Sequence, residues 1–389
     1  MKNAYAVYVA EDNLWVQPVE NSLDAILHGM KYSDGVEFDL RLTKDKRLIL
    51  HHDPRDSDNH YLEEYESDKL DNSLIYFDEL LEKSEFVDPW INQAKIACIE
   101  LKAPHPKSRV GGGWFGNEAC VSHMKNMIQL VNENISAFDI PKTSKVIYSF
   151  EPLTMKAARA FGDEHDFAQL MPHLRQWGTT TVQRMMGTPS FISHSLPRLV
   201  ERHRAKGSPL LPCASTYLFG LRRHLTLGRT ISLTPASIER LNRSRKGYPI
   251  YIWPAYLKIE HTLQKSGITT LTDYLDPNLY TLPGGDARWI KPATQPLSPE
   301  QKIELELAPI EMHKELIDEL RSNVTPWHEL SPSQRRAHLS TWRKNWYWEK
   351  SLDELFDLSN SNRLPWEVVR MVGHRGTGKN ILPNYSNLR

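Results

Sequence analysis

The strongest constraint on this chain is a rhythm. Strand-length apolar runs alternate with helix-like segments from the N-terminal region to about residue 285. The runs read GVEFDLRL (35–42), RLILHHDP (47–54), KIACIELK (95–102), SKVIYSF (144–150), FAQLMPHL (167–174), SPLLPCAS (208–215), YPIYIWP (248–254) and GITTLTDY (267–274). Between several of them lie helical stretches such as EPLTMKAARAFG and AYLKIEHTLQKSG, the second ending on Gly267 as helices often do. Repeated strand–helix–strand order calls for parallel strands buried on both faces. Seven or eight such units in ~280 residues fit a (β/α)8 TIM barrel better than an open sheet.

Beyond Leu282 the pattern changes. LPGGDARWIKPATQPLSPEQ is rich in Pro and Gly and reads as a linker. PIEMHKELIDELRSN then carries a partial helical stripe of Ile310, Leu316, Ile317 and Leu320. Leu339, Trp342 and Trp346 form a second stripe, behind Ser331-Pro332, a cap and first-turn pair. The expected organisation is residues 1–285 for most of the barrel, 286–365 for a helical insertion or linker, and 366–389 for a returning strand, VVRMV, with the turn GHRGTGKN.

Composition narrows the partners. Lys+Arg and Asp+Glu both total 48, so the formal charge is zero, which argues against a sequence-independent nucleic-acid binder. No 18-residue apolar run exists, and MKNAYAVYVAEDNLW lacks the apolar core of a secretory signal. Three scattered cysteines, Cys98, Cys120 and Cys213, form neither a disulfide framework nor a zinc site. The expectation is a cytoplasmic protein without a transmembrane segment; peripheral membrane contact stays open.

Four short constellations carry chemistry. Glu37 and Asp39 lie two apart in an otherwise apolar strand and so face one side. Buried like charges that close need a positive partner, and a divalent cation with hard oxygen ligands supplies one. Singly, the pattern also fits a solvated strand edge. His51-His52-Asp53 ends the next run, where a barrel places catalytic groups, and alternation leaves one of the two histidines facing the site. Glu100 and Lys102 share a face in the same way, offering a third carboxylate and a point charge for an anion, or an ordinary salt-bridged pair. In His374-Arg375-Gly376, Arg suits bidentate phosphate contact and the Gly-rich turn lets backbone N–H groups approach an anion. GTGK is not a P-loop: the spacing is wrong, and Asn380 follows the lysine where Ser or Thr is required.

Together these segments are far more specific than apart. GVEFDLRLTKDKRLILHHD, IELK and GHRG closely resemble the glycerophosphodiester phosphodiesterase family. VENSL (19–23) resembles its P-E-N-T-L segment, Tyr148-Ser149-Phe150 its Ser-Phe strand end, YIWP its late W-T strand, and GITTLTDYLDP its closing strand. The resemblance covers roughly residues 16–285 and 368–380, and GHRGTGKN is most similar to the eukaryotic glycerophosphocholine-type branch. One feature departs from the family: H-R-G should end the first strand, yet here it lies near the C-terminus, and AYAVYVAEDN fills the N-terminal place without His or Arg. A circular permutation explains this, with VVRMVGHRG closing the barrel beside Glu37. A strand-swapped dimer and a truncated second barrel are the rival arrangements.

The resemblance implies metal-dependent hydrolysis of a glycerophosphodiester, glycerophosphocholine-like, to glycerol 3-phosphate and an alcohol. It implies Mg²⁺ or Ca²⁺ on Glu37, Asp39 and Glu100, phosphate on Arg375 and Lys102, His374 and His52 as acid and base, and Trp253 against the glycerol carbons. The alternatives are a lysophospholipase D or phosphoinositide phospholipase C, with Trp342, Trp346, Trp348 and Trp366 as an apolar rim, and a non-catalytic phosphodiester-binding barrel. A separation of His374 from Glu37 beyond ~10 Å would favour the last.

Overall fold

The computed structural model describes residues 15–113, 116–161, 167–170, 188–360 and 362–379; the alternating YAVYVA segment and Met171–Leu174 of the fifth run lie outside them. Nine strands form one sheet: β1 (Gly35–Leu42), β2 (Leu48–Leu50), β3 (Ile96–Leu101), β4 (Lys145–Ser149), β5 (Phe167–Gln169), β6 (Leu211–Ala214), β7 (Ile250–Ala255), β8 (Thr269–Thr272) and β9 (Met371–Gly373). Eight are staves in the order β5-β4-β3-β1-β9-β8-β7-β6. Successive neighbours in this order pair parallel, and the end strands β5 and β6 lie side by side, so a nearly closed TIM barrel results.

The order places β9, the last strand in sequence, between β8 and β1. Met371, Val372 and Gly373 pair with Thr270, Leu271 and Thr272, and Gly373 reaches Val36. Among the described residues the staves follow one another in sequence order, so β9 takes the closing place of an eighth stave, and the departure from the resembled family is that this closing stave carries His374-Arg375-Gly376. β2 is not a stave. It folds back antiparallel on β1, Leu50 opposite Leu40, so RLILHHDP is the return arm of a hairpin that rises beyond the barrel mouth.

Side-chain parity explains why these sequences make staves. Val36, Phe38 and Leu40 point outward into an apolar layer with Ile26, Met30, Phe77 and Phe86, as do Ala97, Ile99 and Leu101 of β3. The alternate residues fill the interior: Ile96, Cys98, Val146, Tyr148, Tyr251, Leu271 and Val372. Glu37 and Asp39 share this inward parity, which forces two carboxylates into the barrel.

The segment between β8 and β9 folds into four helices, Pro299–Leu307, His313–Asn323, Pro332–Trp346 and Leu352–Asp357, after a clamp formed by Arg288. Ser298, Ser331 and Ser351 each start a helix with a reciprocal capping box. Trp327, Leu339, Trp342, Trp348 and Leu355 make a core of their own. Trp348 packs on Gly247 and Trp346 on Gly267, both just ahead of β7 and β8, so these helices lie under the barrel floor. Trp366 joins the interior layer from below. The four tryptophans therefore supply core and floor, not an apolar rim at the mouth, because large rings with few apolar companions bury first.

Two buried polar clamps fasten this segment. Arg288 donates to both Glu260 carboxylate oxygens, at 2.7 and 2.8 Å, and to the Tyr274 carbonyl at 2.6 Å. Asp34, one residue before β1, accepts from the Thr294 amide and hydroxyl and from the Met371 amide, each at 2.8 Å. The first stave in sequence is thereby tied to the last.

Candidate active site

At the carboxyl ends of the staves three carboxylates converge. Asp39 and Glu100 are direct register partners on β1 and β3. Glu37, Asp39 and Glu100 each present an oxygen, all within 4.8 Å of one another, and all three residues are buried. Ligands each ~2.4 Å from a common ion lie at most about 4.8 Å apart, so the spacing admits a single hard cation such as Mg²⁺ or Ca²⁺. A second such group, Asp56, Asp58 and His60, is partly solvated, and Asp56 already accepts from the His60 amide at 2.8 Å.

Charge points the same way. Among the described residues, Lys102 and Arg375 are the lysine and arginine that ion-pair with the three carboxylates. Lys102 Nζ lies 2.9 Å from Asp39 Oδ1 and also contacts Glu100 Oε1. Arg375 Nε lies 3.3 Å from Asp39 Oδ2, while its Nη1 donates to Glu20 at 2.7 Å. Burial disfavours an ionised Asp39, but Lys102 and Arg375 outweigh it and hold that carboxyl well below its ordinary range. Glu37 is left short. Burial and the charges of Asp39 and Glu100 push it well above its ordinary value. Burial likewise raises Glu100, to about 7, against the pull of Lys102. Asp39 Oδ1 accepts no hydrogen bond of good geometry. An acidic cluster with one carboxylate more than its two cations offset fits a divalent cation.

The returning strand delivers the remaining groups. His374 Nε2 lies 3.8 Å from Glu37 Oε2, far inside the ~10 Å limit for a shared substrate. Its Nδ1 lies 2.5 Å from Asp273 Oδ1, at the end of β8. A carboxylate can only accept, so Nδ1 carries the proton and Nε2 keeps its lone pair toward the carboxylate cluster. Burial holds His374 below its ordinary value despite the raising effect of Asp273. The turn itself is tightly specified. A Cβ on Gly373 would fall 1.9 Å from the Gly376 carbonyl oxygen, and Arg375 adopts φ +50°. The Arg375 amide donates to Glu37 Oε2 at 2.9 Å, locking the turn to β1.

His51 and His52 differ, as alternation requires. His51 Nε2 faces the Arg55 carbonyl at 3.0 Å and is structural. His52, partly exposed, sets Nδ1 2.8 Å from Asp53 Oδ1, and burial with Lys102 and Arg375 lowers its pKa. Trp253 on β7 is half-buried at the mouth. Its indole nitrogen lies 3.1 Å from His374 Nδ1, a contact not anticipated from sequence.

Two further groups were not singled out from sequence. Asn21 Nδ2 donates to Asp39 Oδ2 at 2.9 Å and its Oδ1 accepts from the Asp39 amide at 3.0 Å, fixing that carboxylate's rotamer. Asp273 orients His374. Both lay inside segments recognised for their resemblance, VENSL and GITTLTDYLDP, but neither type of residue announces a role by spacing alone.

The glycerophosphoryl diester phosphodiesterase family model, a phosphoric diester hydrolase family, matches residues 7–97, a span that includes Glu37, Asp39 and His52 and ends before Glu100. No curated protein matches in sequence. The structure is similar to a glycerophosphodiester phosphodiesterase from Thermotoga maritima (16% identity, 64% of this chain and 86% of that one, TM-score 0.41). It is also similar to one from Parabacteroides distasonis (14%, 62% and 80%, 0.40). A third, an Oleispira antarctica phosphodiesterase in complex with the product sn-glycerol-3-phosphate, shares 13% identity over 66% of this chain and 88% of that one, with TM-score 0.43.

Proposed function

We propose that this chain hydrolyses glycerophosphodiesters of the glycerophosphocholine kind to glycerol 3-phosphate and an alcohol, with Mg²⁺ or Ca²⁺ on Glu37, Asp39 and Glu100. The observation that carries the reading is the convergence of three buried carboxylates with His374, 3.8 Å from Glu37, on a strand from the far end of the sequence. A divalent cation held there supplies positive charge for the developing oxyanion and lowers the pKa of a nearby hydroxyl. Arg375 and Lys102 hold the phosphate oxygens and offset its charge. His374 Nε2, with its proton fixed on Nδ1 by Asp273, takes the proton of the attacking hydroxyl, either the neighbouring glycerol hydroxyl or water. His52, held below its ordinary value by burial, Lys102 and Arg375, is the group assigned to return a proton to the leaving alcohol, with Asp53 favouring its charged form against that shift. If the glycerol hydroxyl attacks, the cyclic phosphate formed is opened by water with the two histidines exchanging roles. Trp253, half-exposed at the mouth, covers the glycerol carbons. Three buried, unpaired cysteines suit a reducing, cytoplasmic setting.

The test is release of glycerol 3-phosphate from glycerophosphocholine with and without chelator. Activity that chelator abolishes and excess Mg²⁺ or Ca²⁺ restores is expected, with His374→Ala inactive. A His374→Ala variant at full activity would remove the returning strand from the chemistry.

A further inference from the structure

The loop that follows β6 takes no part in the chemistry above and is unlike the surface elsewhere. Residues 215–238 contain three arginines, Arg222, Arg223 and Arg229, and no carboxylate. Within it, Leu221 is 86% exposed, more than any other large apolar residue described, and Leu225 and Leu227 are 55% and 58% exposed. Arg222, Arg223 and Arg229 stand among them. Isolated surface leucines are ordinary, but three exposed within seven residues, interleaved with cations, are not.

The loop keeps its shape from beneath. Phe219 packs against the apolar layer outside β6 and β7, with Lys258 Nζ 4.7 Å from its ring centre. The Leu227 amide donates to the Ile192 carbonyl at 2.6 Å, the Ser195 amide donates to the Leu227 carbonyl at 3.2 Å, and Thr226 is buried. The leucine side chains therefore project from a fixed backbone. Position completes the picture. The loop leaves β6 just after Ala214, the register partner of Trp253, and so rises at the end of the barrel that holds the site. Tyr256, 42% exposed, follows β7 on the same rim.

Apolar side chains that enter an acyl layer, flanked by guanidinium groups at headgroup level, fit an anionic lipid surface. The competing occupant is a second copy of the chain, since helix Pro299–Leu307 exposes Ile303 and Leu307 beside Glu300 and Glu304. That contact would set one molecule over the catalytic mouth of the next and close it to substrate, whereas docking on a bilayer turns the mouth toward phosphodiester headgroups. We propose that Leu221, Leu225 and Leu227, with their neighbouring arginines, dock the barrel mouth on an anionic bilayer.

Sedimentation of the full chain with vesicles tests this, using phosphatidylcholine alone and phosphatidylcholine mixed with phosphatidylglycerol. Binding to the mixed vesicles is expected, weakening as salt rises. Leu221→Ser/Leu225→Ser/Leu227→Ser should lower the partition coefficient by roughly tenfold or more. Arg222→Gln/Arg223→Gln should lower it by about fivefold per charge. Both variants should keep wild-type activity on soluble glycerophosphocholine, which separates this surface from the hydrolytic reading; the sedimentation result stands whether or not that substrate is cleaved. No binding to mixed vesicles, unchanged binding by the leucine variant, or a concentration-dependent dimer lost in that variant would each overturn the proposal.

Discussion

Asp273→Asn isolates one step of the proposed chemistry. In the structure, two groups address the same nitrogen of His374. Asp273 Oδ1 is 2.5 Å from Nδ1, and the Trp253 indole N–H is 3.1 Å from it. The indole can only donate and the carboxylate can only accept, so they favour opposite tautomers. With Asp273 charged, the carboxylate wins and Nε2 is free to act as base. Asparagine has nearly the same shape but no charge, and Trp253 then favours a lone pair on Nδ1. The proton moves to Nε2, where a base cannot use it. General-base catalysis contributes ~10²–10⁴-fold, or about 3–5 kcal/mol of barrier, so kcat should fall by that factor while KM stays within a few-fold. Asp273 raises the His374 pKa against the lowering effect of burial, so its removal should shift the acid limb of the kcat/KM profile to lower pH. Adding Trp253→Phe removes the rival donor and should restore roughly tenfold of the loss, on the order of one bond's discrimination. Steady-state release of glycerol 3-phosphate between pH 5 and 9 is the assay, with calorimetric metal affinity as a control for folding. An Asp273→Asn enzyme within about threefold of wild type, or one whose loss lies wholly in KM, would refute the tautomer argument.

Two further perturbations address other parts of the structure. Glu37→Gln removes the carboxylate that is least compensated, and calorimetry should show Mg²⁺ or Ca²⁺ bound roughly tenfold or more weakly; unchanged affinity would take Glu37 out of the site. Asp34→Asn places an amide N–H against donors that now meet a carboxylate, the Thr294 and Met371 groups, and should cost about 1–3 kcal/mol in urea unfolding; a change within about 0.5 kcal/mol would show that this clamp does not hold β9.

What the sequence made legible follows the physics of alternation. Glu37, Asp39 and Glu100 are readable because a stave buried on both faces has no other use for carboxylates at inward parity. His374 and Arg375 are readable as a motif, while their placement beside β1 is a property of strand order that local sequence does not encode. β2 shows the limit: RLILHHDP has the composition of a stave, and only the tight turn before it distinguishes a hairpin arm that descends to set His52 level with Asp39. Asn21 and Asp273 act through hydrogen bonds to Asp39 and His374, 18 and 101 residues away, which leave no periodic trace. The tryptophans of the C-terminal helices read more readily as a core than as a surface, since that segment has few other large apolar residues, and glycines 247 and 267, whose lack of side chains opens the floor to them, show where two of them pack.

The long connection ahead of the closing stave has an energetic consequence for the site. About a hundred residues separate Thr272 from Met371, where an ordinary crossover needs about 25. Loop-closure entropy grows by only about 0.6 kcal/mol per doubling, so the longer connection costs roughly 1 kcal/mol more. The inserted helices offset this by building a tryptophan core against the floor and by sending Arg288 and Thr294 into buried clamps with Glu260 and Asp34. They are the tether that presents β9 to the gap between β8 and β1. Without β9 the carboxylate cluster would still share a face on β1 and β3, but Glu37 would lose the Arg375 amide and the only imidazole that reaches it among the described residues. In the proposed reaction, the carboxylates that would hold the metal and the imidazole that would move the proton therefore enter from opposite ends of the sequence. They meet only when the barrel closes, so the proposed base would join the carboxylates only in a chain that has folded through to Arg375.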